Sequence, residues 1–150
     1  MKKSFRTINE LLDHYKTLTT SATFKKVAIY MRVDTEETIE SEVAAQREAL
    51  YTFCARNHLY PILECGEVCS VPGFSNLETL QRLVLESQKE HTWEFILVTD
   101  FASIASDEEE LSELKSLLAS YGIMLLDLNS EAQLKGFMKV ERMIKNRFKI

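Results

Sequence analysis

Apolar and polar residues alternate along the chain in blocks that have the lengths of strands and helices. Residues 26–33 form a compact apolar run that includes β-branched side chains, and shorter runs of strand length follow at 61–65, 94–99 and 123–128. Between these runs, apolar residues recur at the helical spacing of three or four positions. The helices predicted from this spacing are 40–57, 77–90, 107–121 and 131–148. Strands that alternate with helices predict an α/β fold with a mainly parallel central sheet of at least four strands, flanked by helices.

A further helical pattern precedes the first strand. Residues 4–18 carry apolar side chains at helical intervals, namely Phe5, Ile8, Leu11, Leu12 and Tyr15. We therefore divide the chain into an N-terminal helical extension and linker at 1–24, an α/β domain at 25–130 and a basic C-terminal helix at 131–150.

The charge of the chain is unevenly distributed. The 150 residues carry a net charge of −5, with the 45% hydrophobic and 27% charged content of an ordinary globular protein. The last helix is nevertheless basic, with Lys135, Lys139, Arg142, Lys145, Arg147 and Lys149. An acidic body is poorly suited to wrap DNA, so only this helix has the right sign for phosphate contacts. Three roles for it remain open: packing on the domain, contacting DNA phosphates, and dimerisation.

The cysteines and the lengths of the apolar runs indicate where in the cell the protein is expected. The cysteines are few, and because there are three of them they cannot all form disulfide pairs. This favours a reducing cytoplasm over a disulfide framework. We expect no secretory signal and no membrane span, because no apolar run reaches the required length. The spacing of Cys65, Cys69 and His58 fits no zinc pattern, so we predict no metal and no cofactor.

One segment has a recognisable motif. Residues 26–46 read KVAIYMRVDTEETIESEVAAQ. This segment resembles the start of the serine recombinases, the resolvase/invertase family, whose pattern is Y-x-R-V-S-T-x-x-Q followed by a helix that ends near a Gln. The residues that match are Tyr30, Arg32, Val33, Thr35 and Gln46. The resemblance continues to about residue 128 through QREAL, a loop that ends in Ser70, LQRL and ILVTD.

The resemblance implies a DNA phosphoryl-transfer site from which most reacting groups are missing. Family members attack a DNA phosphate with a Ser hydroxyl and stabilise the charge with several arginines. Asp34 occupies the position of the nucleophile, and only Arg32 matches one of the arginines. The family's D-R-L-x-R motif reads Asp100-Phe101-Ala102-Ser103-Ile104, Leu77 lies near the Arg of R-P-x-L, and Thr38 replaces the Gln. We therefore predict a domain that is inactive in strand exchange and acts as a binding or regulatory module linked to site-specific recombination or a mobile element.

Several alternatives remain at this stage. Asp34 either caps the following helix, pairs with Arg32, or forms with Asp100 an acidic pair for Mg²⁺ or phosphate chemistry. Thr35 is the one neighbouring hydroxyl that could support residual recombinase activity. The expected partners are a second copy of the chain or an active recombinase, with weak DNA binding through the basic helix as the runner-up.

Overall fold

The computed structural model describes residues 4–7, 24–89 and 91–148. Within them the strands are β1 Ser4–Thr7, β2 Lys25–Val33, β3 Leu59–Val68, β4 Phe95–Leu97 and β5 Met124–Leu126. The helices in the same residues are α1 Ile39–Arg56, α2 Glu78–Gln88, α3 Glu108–Ser120 and α4 Glu131–Phe148.

The strands form one sheet in the order β1-β3-β2-β4-β5. β3, β2, β4 and β5 are parallel to one another, and β1 adds an antiparallel edge strand beside β3. The predicted fold class is therefore confirmed. Because the four parallel strands point the same way, their carboxyl ends lie at one edge of the sheet, where α/β proteins place their ligands.

Helices cover both faces of the sheet, so each face has its own apolar core. One core joins alternate residues of β2, such as Ala28 and Tyr30, to the apolar stripes of α2 and α3. The other joins Val27, Ile29 and Met31 to α1 and to Leu134 of α4. This two-sided burial explains why residues 26–33 form an almost continuous apolar run rather than an alternating one.

The N-terminus departs from the helical prediction. Ser4–Thr7 form β1, with Ser4 opposite Glu67 and Thr7 opposite Glu64, so the predicted helix over 4–18 is wrong at its start. Pairing with an open sheet edge satisfies backbone groups whatever the side-chain period, and here it overrides the helical spacing. The rest of that helix lies outside the described residues. Since β1 belongs to the central sheet, the boundary predicted after residue 24 does not separate this strand from the domain.

A buried carboxylate on β3 fixes α1 to the sheet. The Glu64 side chain is 2% exposed and makes a two-pronged ion pair with Arg47, whose Nε and Nη2 each lie 2.7 Å from a carboxylate oxygen. The hydroxyl of Tyr51 donates to the same carboxylate, and burial together with this contact raises the pKa of Tyr51. Arg47 and Tyr51 together compensate the buried charge of Glu64, as a buried ion requires.

No helix among the described residues has the length and apolar content needed to cross a membrane.

The Glu64 cluster yields a stability prediction. Replacing Arg47 with Met keeps most of the aliphatic packing but leaves Glu64 with the Tyr51 hydroxyl alone, so we expect a loss of about 1–3 kcal/mol in the free energy of unfolding. Urea titration measures this loss. The matched control is Arg82→Met on the exposed face of α2, which should change stability by less than about 0.5 kcal/mol. Equal effects of the two substitutions would show that the ion pair contributes nothing specific.

Candidate functional site

The predicted site residues that follow the strands lie at the carboxyl edge of the parallel sheet. Arg32 and Asp34 come at the end of β2, Ser70 follows β3, and Asp100 follows β4. A cleft of about 480 Å³ opens beside β2 and β3, lined by Asp34, Thr35, Glu36, Glu37, Val68, Cys69 and Ser70.

Arg32 is held in place by groups of the protein itself. Its side chain is 13% exposed, its Nη1 donates to the Cys69 carbonyl at 2.6 Å, and the same atom lies 2.9 Å from Oδ1 of Asp34. Gln46 of α1 donates from Nε2 to the Arg32 carbonyl at 2.9 Å, which ties the helix to the end of β2. The Nε of Arg32 is buried without a hydrogen-bond partner. The guanidinium that the family resemblance assigns to a DNA phosphate is therefore engaged by a carboxylate and a carbonyl.

Asp34 is the carboxylate in this pair and does not cap a helix. Its side chain is 62% exposed. The residues at the cap positions of the following 3₁₀ turn and of α1 are Thr35 and Thr38. Of the two structural roles considered for Asp34, the structure shows the ion pair with Arg32.

The hydroxyls beside Asp34 form a local network. Thr35 Oγ1 lies 2.9 Å from Thr38 Oγ1, and the Thr38 hydroxyl donates to the carboxylate of Glu42. Asp34, Glu36 and Glu37 make the cleft lining acidic, and among the described residues the Thr35 hydroxyl contacts Thr38 rather than one of these carboxylates. Like charges at short range repel an incoming phosphate, so the cleft is unfavourable for a DNA backbone.

Asp100 has a separate local role. Its Oδ1 accepts from the Ala102 amide at 2.8 Å, so it caps the short 3₁₀ turn Phe101–Ser103. Phe101 lies half-buried under Lys115, whose Nζ is 4.2 Å from the ring centroid, while Ile104 is fully buried in the core. Apolar packing thus occupies both positions at which the resemblance expects arginines.

Asp34 and Asp100 engage different partners. The described residues contain no group of three or more His, Cys, Asp and Glu side chains placed to hold a metal ion.

The sequence pattern did not single out two buried carboxylates that lie near this edge of the sheet. Glu67 accepts from the Tyr30 hydroxyl at 2.7 Å and from the amides of Thr79 and Leu80 at 3.0 and 3.1 Å, so it secures the start of α2. Burial and the neighbouring carboxylate raise the pKa of Tyr30. Asp127, after β5, accepts from the Phe101 amide at 3.2 Å and the Ser130 hydroxyl at 3.0 Å. An acid next to an apolar run was the only available signal for either residue.

The loop between β3 and α2 is fastened to the start of α3. Oε1 of Glu110 accepts from the amides of Phe74 and Ser106 at 2.9 and 2.8 Å. These two amide hydrogen bonds lower the pKa of Glu110, with the Phe74 amide as the larger cause. Gly73 adopts φ 118°, a conformation that favours glycine, where the loop turns toward Glu110. Ser70 is exposed at the beginning of this loop.

The basic residues of the last helix are spread along α4, away from the cleft. Lys135 and Lys145 lie 4.0 and 3.8 Å from Glu131 and Glu141, respectively. The other described cations of α4 have no acidic partner among the described residues, namely Lys139, Arg142 and Arg147. Lys149 lies outside the described residues.

Solved structures share this fold. A resolvase family site-specific recombinase from Streptococcus pneumoniae aligns with a TM-score of 0.55 and 18% identity, covering 83% of this chain and 93% of that chain. The N-terminal catalytic domain of TP901-1 integrase aligns with a TM-score of 0.55 and 21% identity, covering 83% and 96%. The C-terminal catalytic domain of ISC1926 TnpA, an IS607-like serine recombinase, aligns with a TM-score of 0.53 and 13% identity, covering 81% and 84%. At these identities the likeness establishes the fold.

No protein-family model matches the sequence, and no curated protein matches it.

The Glu110 contacts predict a pH-dependent effect. The folded-state pKa of Glu110 lies below the ordinary value of 4.5. The Glu110 contacts therefore stabilise the fold at pH values above 4.5, and this stabilisation is lost as the pH falls through the folded-state pKa. Glu110→Gln should therefore destabilise the protein at neutral pH, and the difference from wild type should shrink toward pH 3. Urea midpoints measured across that range test this, with the exposed neighbour Glu109→Gln as control. A difference in urea midpoint between wild type and Glu110→Gln that stays constant with pH would contradict this prediction.

The acidic-pair alternative has its own test. Asp34 already pairs with Arg32, so we expect millimolar Mg²⁺ to leave the melting temperature of wild type and of Asp34→Asn unchanged. The substitution itself should cost at most about 1 kcal/mol, since the carboxylate is largely exposed. Glu37→Gln, in the same cleft, is the control. A rise in the melting temperature of wild type with Mg²⁺ that Asp34→Asn abolishes would establish a metal site instead.

Proposed function

We propose that this protein is a serine-recombinase-like domain that does not cut DNA and acts as a protein-binding module in site-specific recombination or the activity of a mobile element. It would work in the cytoplasm, where its DNA-bound partners are. The observation that carries the proposal is the 2.9 Å ion pair between Asp34 and Arg32, at the position where the family resemblance expects a serine nucleophile.

The chemical requirements of DNA strand cleavage also support a non-cleaving role. Attack on a phosphodiester needs a nucleophile and donors that stabilise the added negative charge. Here Asp34 neutralises the one matching arginine, and Phe101 and Ile104 occupy the places of two others. Loss of a single such donor costs on the order of 100- to 1000-fold in rate, so the combined losses support a non-cleaving role.

A second role, as a DNA-associated regulator, has one observation in its favour. Lys139, Arg142 and Arg147 have no acidic partner among the described residues, and such cations are suited to contact backbone phosphates. Binding of this kind would be weak, insensitive to sequence and strongly reduced by salt. We rank it second because the rest of the chain is acidic.

The absence of cleavage is directly testable. Incubation of the protein with supercoiled plasmids and with a library of short duplexes should give no covalent protein–DNA adduct on a denaturing gel. Asp34→Ser should give none either, because the missing arginines are not restored. An intact serine recombinase with its own site is the positive control. An adduct from either protein would overturn the proposal.

The role of Asp34 is testable without knowledge of a DNA site. Sulfate mimics the phosphate charge, and we expect it to leave the Arg32 side-chain NMR signal of wild type unchanged. In Asp34→Ala the guanidinium loses its carboxylate partner and keeps the Cys69 carbonyl, so titrated sulfate should shift the signal. Glu37→Ala is the control for a general loss of acidic charge. Sulfate binding to Arg32 in wild type would show that Asp34 does not block the group.

A further inference from the structure

The outer half of α4 exposes an unusual amount of apolar surface. Val140, Met143, Ile144 and Phe148 are 54%, 60%, 48% and 65% exposed. Their spacing places them along one side of the helix, and we call this row the α4 stripe. Exposed apolar surface of this extent marks an interaction site more often than chance.

The stripe leads into a cavity. A space of about 370 Å³ lies between α3 and α4 beside the edge strand β5. Most of its walls are apolar, with Phe95, Ala119, Ile123, Met124 and Phe137, but Glu94, Lys115 and Gln133 also line it. Phe137 is 38% exposed, packs edge-on against Phe95 with ring centroids 6.1 Å apart, and stands one turn before Val140. Cavity and stripe therefore form one mainly apolar surface with a concave end, about 17 Å long from Phe137 to Phe148 at 1.5 Å per residue.

Unneutralised positive charge borders this surface. The two acidic residues of α4 are both engaged: Glu131 with Arg56 and Asn57, and Glu141 with Lys25 at 2.8 Å. Lys139 and Arg147 alternate with the stripe residues and have no acidic partner among the described residues. A complementary surface therefore needs apolar side chains flanked by acids.

Within the part of the chain that the structure describes, a second copy offers no helix with such a surface. Two α4 helices packed together would bring their cations together, with no free acid on either helix to compensate. The acidic helix α3 exposes one large apolar residue, Leu117, and α2 likewise exposes only Leu85. Among the described residues, no helix of the chain combines an acidic flank with an exposed apolar row.

A lipid surface fits less well than a protein. A basic amphipathic helix is also the signature of membrane-surface binding. However, the apolar surface here continues into a cavity walled by two helices, and a flat bilayer interface would leave that cavity unfilled. A bulky side chain that projects from a helix fills such a space in helix-in-groove recognition.

We propose that the α4 stripe and the adjoining cavity dock an amphipathic helix of a different protein, whose apolar face is flanked by Glu or Asp and whose large apolar anchor enters the cavity. The inference rests on the proposed binding role and specifies the class of its partner.

Synthetic helical peptides test the proposal with the full-length chain. One labelled peptide carries Leu and Phe along one face and Glu on both flanks, and its twin carries Lys in place of every Glu. In fluorescence anisotropy at low salt, the Glu peptide should bind at least about tenfold more tightly than its Lys twin, and high salt should remove most of the difference.

Matched substitutions locate the binding surface. Val140→Ser and Ile144→Ser should each weaken binding of the Glu peptide by about tenfold, whereas Leu85→Ser on α2 should leave it unchanged. The double charge reversal Lys139→Glu with Arg147→Glu should weaken the Glu peptide and strengthen the Lys twin. Arg82→Glu, an exposed charge reversal on α2, should do neither.

Four results would overturn the proposal. They are the absence of binding by the Glu peptide, equal affinity for the two peptides, a dimer by light scattering at about 100 µM that Ile144→Ser dissociates, and binding to phosphatidylserine vesicles, lost in Ile144→Ser, without peptide binding. The third would assign the surface to a second copy and the fourth to a lipid. A covalent DNA adduct would instead refute the non-cleaving role and leave the peptide result untouched, so the two failures are distinguishable.

Discussion

The burial of β2 on both faces is the constraint on which the rest of the structure depends. Val27, Ile29 and Met31 face one core while Ala28 and Tyr30 face the other, and each is at most 1% exposed. A strand with no solvent-facing side buries a polar group within its length only where another group compensates it, so partly exposed charged side chains fall at its ends. Arg32 and Asp34 stand at that end, which fixes the position of the candidate site.

Buried carboxylates connect this strand to the helices around it. Glu67 of β3 takes a hydrogen bond from Tyr30 of β2 and two from the first amides of α2, and Glu64 pairs with Arg47 of α1. The helix dipole adds to the amide contacts at the start of α2, because a negative charge is favourable there. The positive charge of Arg32 is also compensated within the protein, because its Nη1 contacts both the Cys69 carbonyl and the Asp34 carboxylate.

The last helix serves two purposes along its length. Its first half is fixed to the domain by Leu134 in the core and by the contacts of Glu131 and Glu141. Beyond Glu141 every described residue is exposed, and the apolar side chains there have no core to enter. The apolar side chains of this second half are therefore the ones that we propose a partner helix contacts.

The sequence by itself determined the order of strands and helices from β2 onward, because the periods of two and 3.6 residues reflect which side chains a sheet or helix can bury. It also showed which residues occupy the positions where the family resemblance expects reacting groups, since Asp34, Phe101 and Ile104 can be read directly. The tertiary structure decided what depends on partners distant in the chain. Ser4–Thr7 became a strand because the edge of β3 offered hydrogen bonds that no local pattern records. Glu64, Glu67 and Asp127 became buried because their donors come from other elements. The contact of Arg32 with the Cys69 carbonyl, and the exposure of the α4 stripe, likewise depend on how distant segments pack together. The hydrophobic period predicts whether each residue is buried or exposed. These other features are set by contacts between residues that only the folded chain brings together.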